Sequence, residues 1–441
     1  MSVRASAEEQ SPHGSDLSSV LVGAAVGVVG TGFREAARRG YALFATSLAA
    51  ADARGVPGWI LGALGGAAFV GLAAALTRRF ARESAGSGIQ EIEGLLAGVR
   101  PELRWRRVLP VKFVGGLLGI SAGLLLGREG PTIHMGGAIG AAVAERTRAG
   151  RDRMRLLVGA GSAAGLAVAF GAPLAGILFA LEELRREFPP TRSAIRAVAL
   201  AAISAVLVGI AIGGSGRFLP VPATGAPGPL ELVLTLPFAA AVGVVGLLFN
   251  AALLRTLDAG AAMARRAGWI SLGLVTGAGI GALVWIFRDA TGGGEDLSEK
   301  LLSSPCAAAL LVLLFVVRFV LFNASYATGI PGGIFAPQLA LGTILGLLFA
   351  DFGTRLAPGL GLTPVHWALA GMAALLAATV RAPLTGLALV IEMTGSYPVL
   401  LMALVAVMVA DLTARALDGT PIYDAILERQ LRGDSPRAPR P

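Results

Sequence analysis

Gly127-Arg128-Glu129-Gly130-Pro131 interrupts two apolar stretches, residues 114–126 before it and 132–144 after it. The glycines permit backbone conformations that other residues resist, and Pro131 suits the first turn of a new helix. The stretch therefore reads as the end of one helix and the start of another. Unpaired N–H groups and the dipole of that second helix make a place for negative charge, and Glu129 stands where such an anion would sit. A carboxylate near bilayer depth costs at least ~2.5–3.5 kcal/mol on insertion scales, which points to a working role. Taken alone, the stretch also fits a surface loop in which Arg128 and Glu129 meet water.

Composition decides the class. Hydrophobic residues make up 55% of the 441, charged residues 15%, and there are 61 glycines. Mean hydropathy is +0.72. A soluble domain of this length carries more charge, and glycine runs at about twice its usual share of roughly 7%. Abundant Gly and Ala suits membrane helices, because small residues let backbones approach. The chain reads as a polytopic membrane protein whose surroundings are the lipid bilayer. Its formal charge of +9 does not imply a nucleic-acid partner. The arginines flank apolar spans rather than forming one face, which is the pattern of positive-inside topology. Cys306 is the single cysteine, so neither an intramolecular disulfide nor a thiolate cluster is available. His13, His134 and His366 are scattered, so no metal site and no cofactor is expected.

Outward from the central break, the chain divides into a polar tail (1–17), a transport region (18–430) and a second polar tail (431–441). The first tail lacks the basic start, apolar run and cleavage site of a signal peptide. Apolar stretches follow at about 18–50, 57–76 and 108–126. Arg78, Arg79 and Arg82 close the second, and Arg100, Arg104, Arg106, Arg107 and Lys112 precede the third, which places the loop 78–107 in the cytoplasm. Both termini are expected on that side. A basic run at 146–155 leads into an apolar segment, 156–181, broken at Phe170-Gly171-Ala172-Pro173. Further stretches lie at 195–213, 231–254, 269–287 and 306–323. Ser325 to Pro337 is a second break rich in Gly and Pro, and apolar segments resume at 338–350, 366–380, 382–393 and 398–410. No soluble domain is read after them.

An internal repeat is visible by eye. Gly161 to Glu182 matches Gly371 to Glu392 at a constant offset (371 − 161 = 210; 392 − 182 = 210), with Ala-Pro-Leu-x-Gly in register. Two halves, roughly 18–213 and 231–430, each with helices broken by Gly and Pro, are the mark of a transporter built from repeats. Its substrate binds near the midplane where the breaks meet.

Four breaks carry the chemistry: Gly86-Ser87-Gly88-Ile89-Gln90, Gly127 to Pro131, Gly333-Ile334-Phe335-Ala336-Pro337, and Tyr423 just after Pro421. Each precedes an apolar or amphipathic helix and can present amides or a hydroxyl. Ser87 and Tyr423 offer O–H donors, and Ile334 and Phe335 offer backbone N–H. Such donors carry no full charge, so they replace an anion's water without trapping it. Singly, Ser87 also fits a helix cap and Tyr423 an interfacial anchor.

Together these motifs closely resemble the CLC family of chloride channels and chloride/proton antiporters, over about 20 to 430. The resemblance implies an all-α fold of two inverted repeats with tilted, partly broken transmembrane helices, assembled as a homodimer. It implies a central chloride site made by the Ser87 and Tyr423 hydroxyls and the Ile334 and Phe335 amides. Glu129 becomes the gating glutamate and outer proton carrier, and Glu183 the inner proton-transfer glutamate. Glu182, the repeat equivalent of Glu392, is expected to be structural. The chain departs from the family pattern at Gln90, where Pro is usual, which is expected to loosen that turn. Chloride and protons are the expected cargo, in a prokaryotic inner membrane. An uncoupled voltage- or pH-gated chloride channel of the same fold is the alternative. A membrane-embedded enzyme is disfavoured, since no His/Cys ligand set, nucleotide loop or Ser/His/Asp grouping is present and no catalytic residue is assigned.

Overall fold

The computed structural model describes residues 12–184, 191–214 and 218–434. The first half comprises α1 (Pro12–Asp52), α2 (Gly58–Phe80), α3 (Ile89–Leu96), α4 (Trp105–Ser121), α5 (Glu129–Arg146), α6 (Arg151–Phe170), α7 (Pro173–Glu182) and α8 (Arg192–Gly213). The second comprises α9 (Pro229–Ala267), α10 (Trp269–Ile286), α11 (Glu295–Ser303), α12 (Ala308–Ala327) and α13 (Phe335–Leu356). It ends with α14 (Pro364–Val380), α15 (Pro383–Thr394), α16 (Leu400–Ala416) and α17 (Ile422–Asp434). No strand occurs among the described residues, and 9 of the helices there are long and apolar enough to cross a membrane.

Helices α6 and α14 form the middle of each half. Both are apolar on nearly all faces, as a helix surrounded by protein must be, and nearly every residue from Leu157 to Phe170 and from His366 to Val380 is buried. Glycine sets how closely their neighbours approach. α5 crosses α6 where Gly136 faces Gly161, and α13 crosses α14 where Gly342 faces Gly371; a side chain at any of these would strike the opposing backbone. α2 and α10 meet in the same way through Gly62, Gly66, Gly277 and Gly281. Outward faces of α2, α10 and α12 carry exposed Leu64, Val275 and Val320, as lipid contact requires.

The repeat at offset 210 is visible in the backbone. α6 ends at Gly171 with φ 64°, and α14 ends at the corresponding Arg381 with φ 73°. The next helix of each half starts at the equivalent proline, Pro173 or Pro383. α7 and α15 then cap one another. The Glu182 carboxylate accepts from Leu384 N at 3.0 Å and Thr385 N at 2.6 Å, and the Glu392 carboxylate accepts from Leu174 N at 3.0 Å and Ala175 N at 2.8 Å. A reciprocal contact of this kind requires a two-fold relation between the halves. Each acid satisfies helix-end amides that lipid leaves without water. Glu182 thus has the structural part expected of it.

Candidate anion site at converging helix ends

Three connections meet inside the helix bundle: those leading into α3, α5 and α13. Gly86 N donates to Ile330 O at 3.1 Å and Gly332 N to Gly86 O at 2.9 Å, while Gly127 and Gly333 exchange both backbone bonds at 2.9 and 2.7 Å. Irregular backbone at this depth has no water, so the loops satisfy one another.

Glu129, the first residue of α5, is fully buried. Its Oε1 accepts from Phe335 N at 2.6 Å and from Ala336 N at 3.4 Å. Its Oε2 has no partner. The local sequence explains why these amides are open. α13 starts at Phe335 without a side-chain cap, Pro337 has no N–H, and Gln338 N is already bonded to Ile334 O at 3.2 Å. The carboxylate therefore rests on the N-terminal amides of the opposite half, with the helix dipole favouring its charge. A Cβ at Gly333 would collide with this carboxyl, and one at Gly130 would lie 2.7 Å from Ser87 Oγ. Glycine is needed at both for the loops to close this tightly.

Ser87 and Tyr423 are also fully buried; their hydroxyls lie near one another, but neither meets hydrogen-bond geometry with any group. Tyr423 sits in the first turn of α17 with its ring centroid 6.4 Å from that of Phe335. Two buried O–H groups without acceptors are costly unless something else accepts from them. Glu129 and Glu183 both lie within electrostatic reach of Tyr423. Glu183 caps the C-terminal end of α7 and is half-buried. The Arg185 and Arg186 that flank it in sequence lie outside the described residues. Ser87, Glu129, Ile334, Phe335 and Tyr423 are thus brought together, with Glu183 approaching from the side of α7.

Other groups hold the loops in place. The Tyr326 hydroxyl oxygen accepts from Ser87 N at 3.1 Å. Lys112 is fully buried and donates from Nζ to Ser84 O at 3.1 Å and Gly86 O at 2.7 Å. Its sequence context suggested a topology marker at the membrane surface; it is instead a brace behind the Ser87 loop. Its position within an otherwise apolar run was the available signal. Gln90 does not leave its turn loose: Oε1 accepts from Gly88 N at 3.2 Å, a side-chain tether in place of a proline ring. Arg128 is not a free surface charge either, with its side chain only 12% exposed. Its Nη2 lies 2.7 Å from Glu295 Oε2, and its guanidinium covers the Phe218 ring at 4.4 Å. Glu295 starts the short helix α11, outside the candidate spans. Burial pushes its carboxyl above the ordinary value, against the pull of Arg128 and Arg34.

Half-helices ending at mid-bundle, with neutral donors around one buried carboxylate, define an ion-transport protein of the broken-helix class. The family profile for voltage-gated chloride channels matches residues 66–415, and the chain belongs to that family, the CLC proteins. The H(+)/Cl(-) exchange transporter ClcA of Vibrio cholerae (strain M66-2) is 41% identical over 417 residues, covering 94% of this chain and 89% of that one. Its namesake from Citrobacter koseri is 39% identical over 423 residues, covering 94% and 88%. The crystal structure of a slow cyanobacterial Cl−/H+ antiporter aligns with a TM-score of 0.90 at 36% identity, covering 95% of this chain and 98% of that one. The family and the all-helical fold expected from the filter motifs are both borne out.

Proposed function

We propose that this protein exchanges chloride for protons across the membrane, with Glu129 as the group for which both ions compete. The carrying observation is the Glu129 carboxylate on the Phe335 and Ala336 amides, where a negative ion is stabilised without any full positive charge. An ionised Glu129 occupies that place itself. A proton taken up on Oε2 breaks no existing bond, and the neutral carboxyl holds the amides less strongly. Chloride then displaces it, accepting from the Ile334 and Phe335 amides and from the free Ser87 and Tyr423 hydroxyls. Because the donors are neutral, chloride is desolvated yet free to leave.

Glu183 supplies the second proton station, since Glu129 in the anion path cannot carry protons across the whole bilayer alone. The arginines at 78–107 and 146–155 put the α3 and α17 side in the cytoplasm, so Glu183 faces inward and α11 faces outward. Both termini are then cytoplasmic, in a prokaryotic inner membrane. The exposed apolar helix faces suit both lipid and pairing as a homodimer, each subunit with its own pathway. No group of three or more His, Cys, Asp or Glu fit to hold a metal occurs among the described residues.

The test is Glu129→Gln in proteoliposomes. Chloride should still pass and proton movement should stop. Vesicles of this variant that still pump protons against their gradient would remove Glu129 from its role.

A further inference from the structure

On the outer side, two guanidinium groups stand near the gate, one paired with a carboxylate and the other within its electrostatic reach. Arg128 immediately precedes Glu129 in the chain and pairs with Glu295 at 2.7 Å. Arg34 of α1 lies within electrostatic reach of both Arg128 and Glu295. Glu35, the next residue on α1, pairs directly with Arg38 at 2.7 Å and Arg39 at 2.6 Å and reaches Arg34 only at longer range. Among the acids around this pair, which include Asp296 beside it, Glu295 is the one in direct contact with Arg128 and within reach of Arg34 as well. Its place is fixed from behind. Arg318, buried, donates to Asp289 O, Thr291 O and Gly292 O, each at 3.0 Å, and Gly292 N is tied to Gly123 O at 2.8 Å. Gly294, at φ 104°, then turns the chain into α11 so that Glu295 is its first residue.

This cluster borders open space. A cavity of about 530 Å3 runs past Glu295, Arg128, Gly127 and Ala336, and a second of about 540 Å3 reaches Arg34, Arg128 and Phe218 from the other side. Arg128 belongs to both. The first reaches Gly127 and Ala336, the residues bordering the Glu129 carboxylate, so it is the outer entrance to the anion path. A partly buried ion pair loses to desolvation much of what its attraction contributes to stability. Its position here gives it another consequence, because a charged entrance governs how many ions of the opposite sign it collects.

We propose that Glu295 determines how strongly the outer entrance captures anions: by pairing with Arg128 it holds down the attraction that Arg34 and Arg128 together would exert on chloride. This deepens the anion-exchange reading and rests on it. The transported ion and the gate are unchanged; what Glu295 sets is the chloride concentration at which the outer face fills. Replacing it by Gln leaves the shape of the site and removes its charge, so Arg128 at the entrance, with Arg34 behind it, acts on an entering anion without that compensation. Replacing Arg34 as well removes one cation and restores the original balance.

The test uses the full chain in proteoliposomes, with initial chloride uptake measured against external chloride at constant pH and ionic strength. Glu295→Gln should lower the half-saturating chloride roughly three- to tenfold, the size expected for one uncompensated charge at a partly screened site. Glu295→Asp should behave as the unaltered protein, and Arg34→Gln with Glu295→Gln should return towards it. Arg34→Gln alone should raise the half-saturating concentration, which keeps the proposal testable should Glu295→Gln fold poorly. A half-saturation unaffected by Glu295→Gln, or not reversed by adding Arg34→Gln, would overturn the proposal. A bridge that merely braces α11 would lower yield or maximal rate and leave the half-saturation alone. The proton/chloride ratio, measured on the same vesicles, separates the two claims. Loss of coupling in the unaltered protein would defeat the exchange reading, whereas the half-saturation shifts decide the role of Glu295.

Discussion

Substituting Glu129 by Gln should strengthen chloride binding, because it weakens the occupant that chloride has to displace. The carboxylate holds Phe335 N at 2.6 Å and touches Ala336 N at 3.4 Å. A hydrogen bond to a charged group contributes about 1.5–3 kcal/mol and a neutral one about 0.5–1.5. Removing the charge thus lowers the hold by about 1–1.5 kcal/mol at the short contact and by a smaller amount at the long one. The sum, roughly 1–2 kcal/mol, corresponds to about five- to thirtyfold tighter chloride. Isothermal titration of chloride into the purified protein in detergent measures it. The same competition fixes the pH dependence. Protons neutralise the carboxylate and release the amides, so chloride affinity of the unaltered protein should rise as pH falls, while that of Glu129→Gln should stay flat. Chloride binding that is no tighter in the variant, or that keeps its pH dependence, would refute competition at these amides.

Further outcomes follow from the neighbouring residues. Ser87→Ala and Tyr423→Ala together remove both hydroxyl donors and should weaken chloride binding roughly a hundredfold or more, at about 1.5–3 kcal/mol per donor to a charged ion; unchanged affinity in the double variant would count against the central site. Glu183→Gln should abolish proton flux and leave chloride flux and binding largely intact, as ion-selective electrodes on proteoliposomes would register. A coupled signal that survives would move the inner proton station elsewhere. Glu182→Gln weakens charged acceptor bonds to Leu384 N, Thr385 N and Thr385 Oγ1, and should cost about 2–4 kcal/mol of stability in detergent unfolding, against little loss if the reciprocal cap is unimportant.

The features legible in the sequence are those that a local stretch encodes by itself. Gly and Pro at 127–131 and 333–337 mark helix ends wherever the chain goes afterwards, so α5 and α13 start where those motifs stand, at Glu129 and Phe335. The Ala-Pro-Leu match likewise carries its own geometry, and Glu182 and Glu392 each cap the helix of the other half as the common offset requires. What could not be read depends on which distant segments meet. The Lys112 context resembles the basic flank of a span, and only the fold of the 84–86 loop around its Nζ makes it internal. Tyr326 reaches Ser87 N across 239 residues of chain. The partner of Arg128 comes from a polar loop that gives no local hint of lying beside the gate. Gln90 replaces backbone rigidity with a side-chain bond, an exchange visible only once its Oε1 is placed against Gly88 N.

The exchange is tested most directly by purified protein in vesicles given a chloride gradient and no pH gradient. Chloride moving down its gradient should drive protons uphill in the opposite direction, detected as a pH change on one side that a proton ionophore collapses. Chloride flux with no accompanying proton movement would contradict exchange and leave a chloride channel of the same fold.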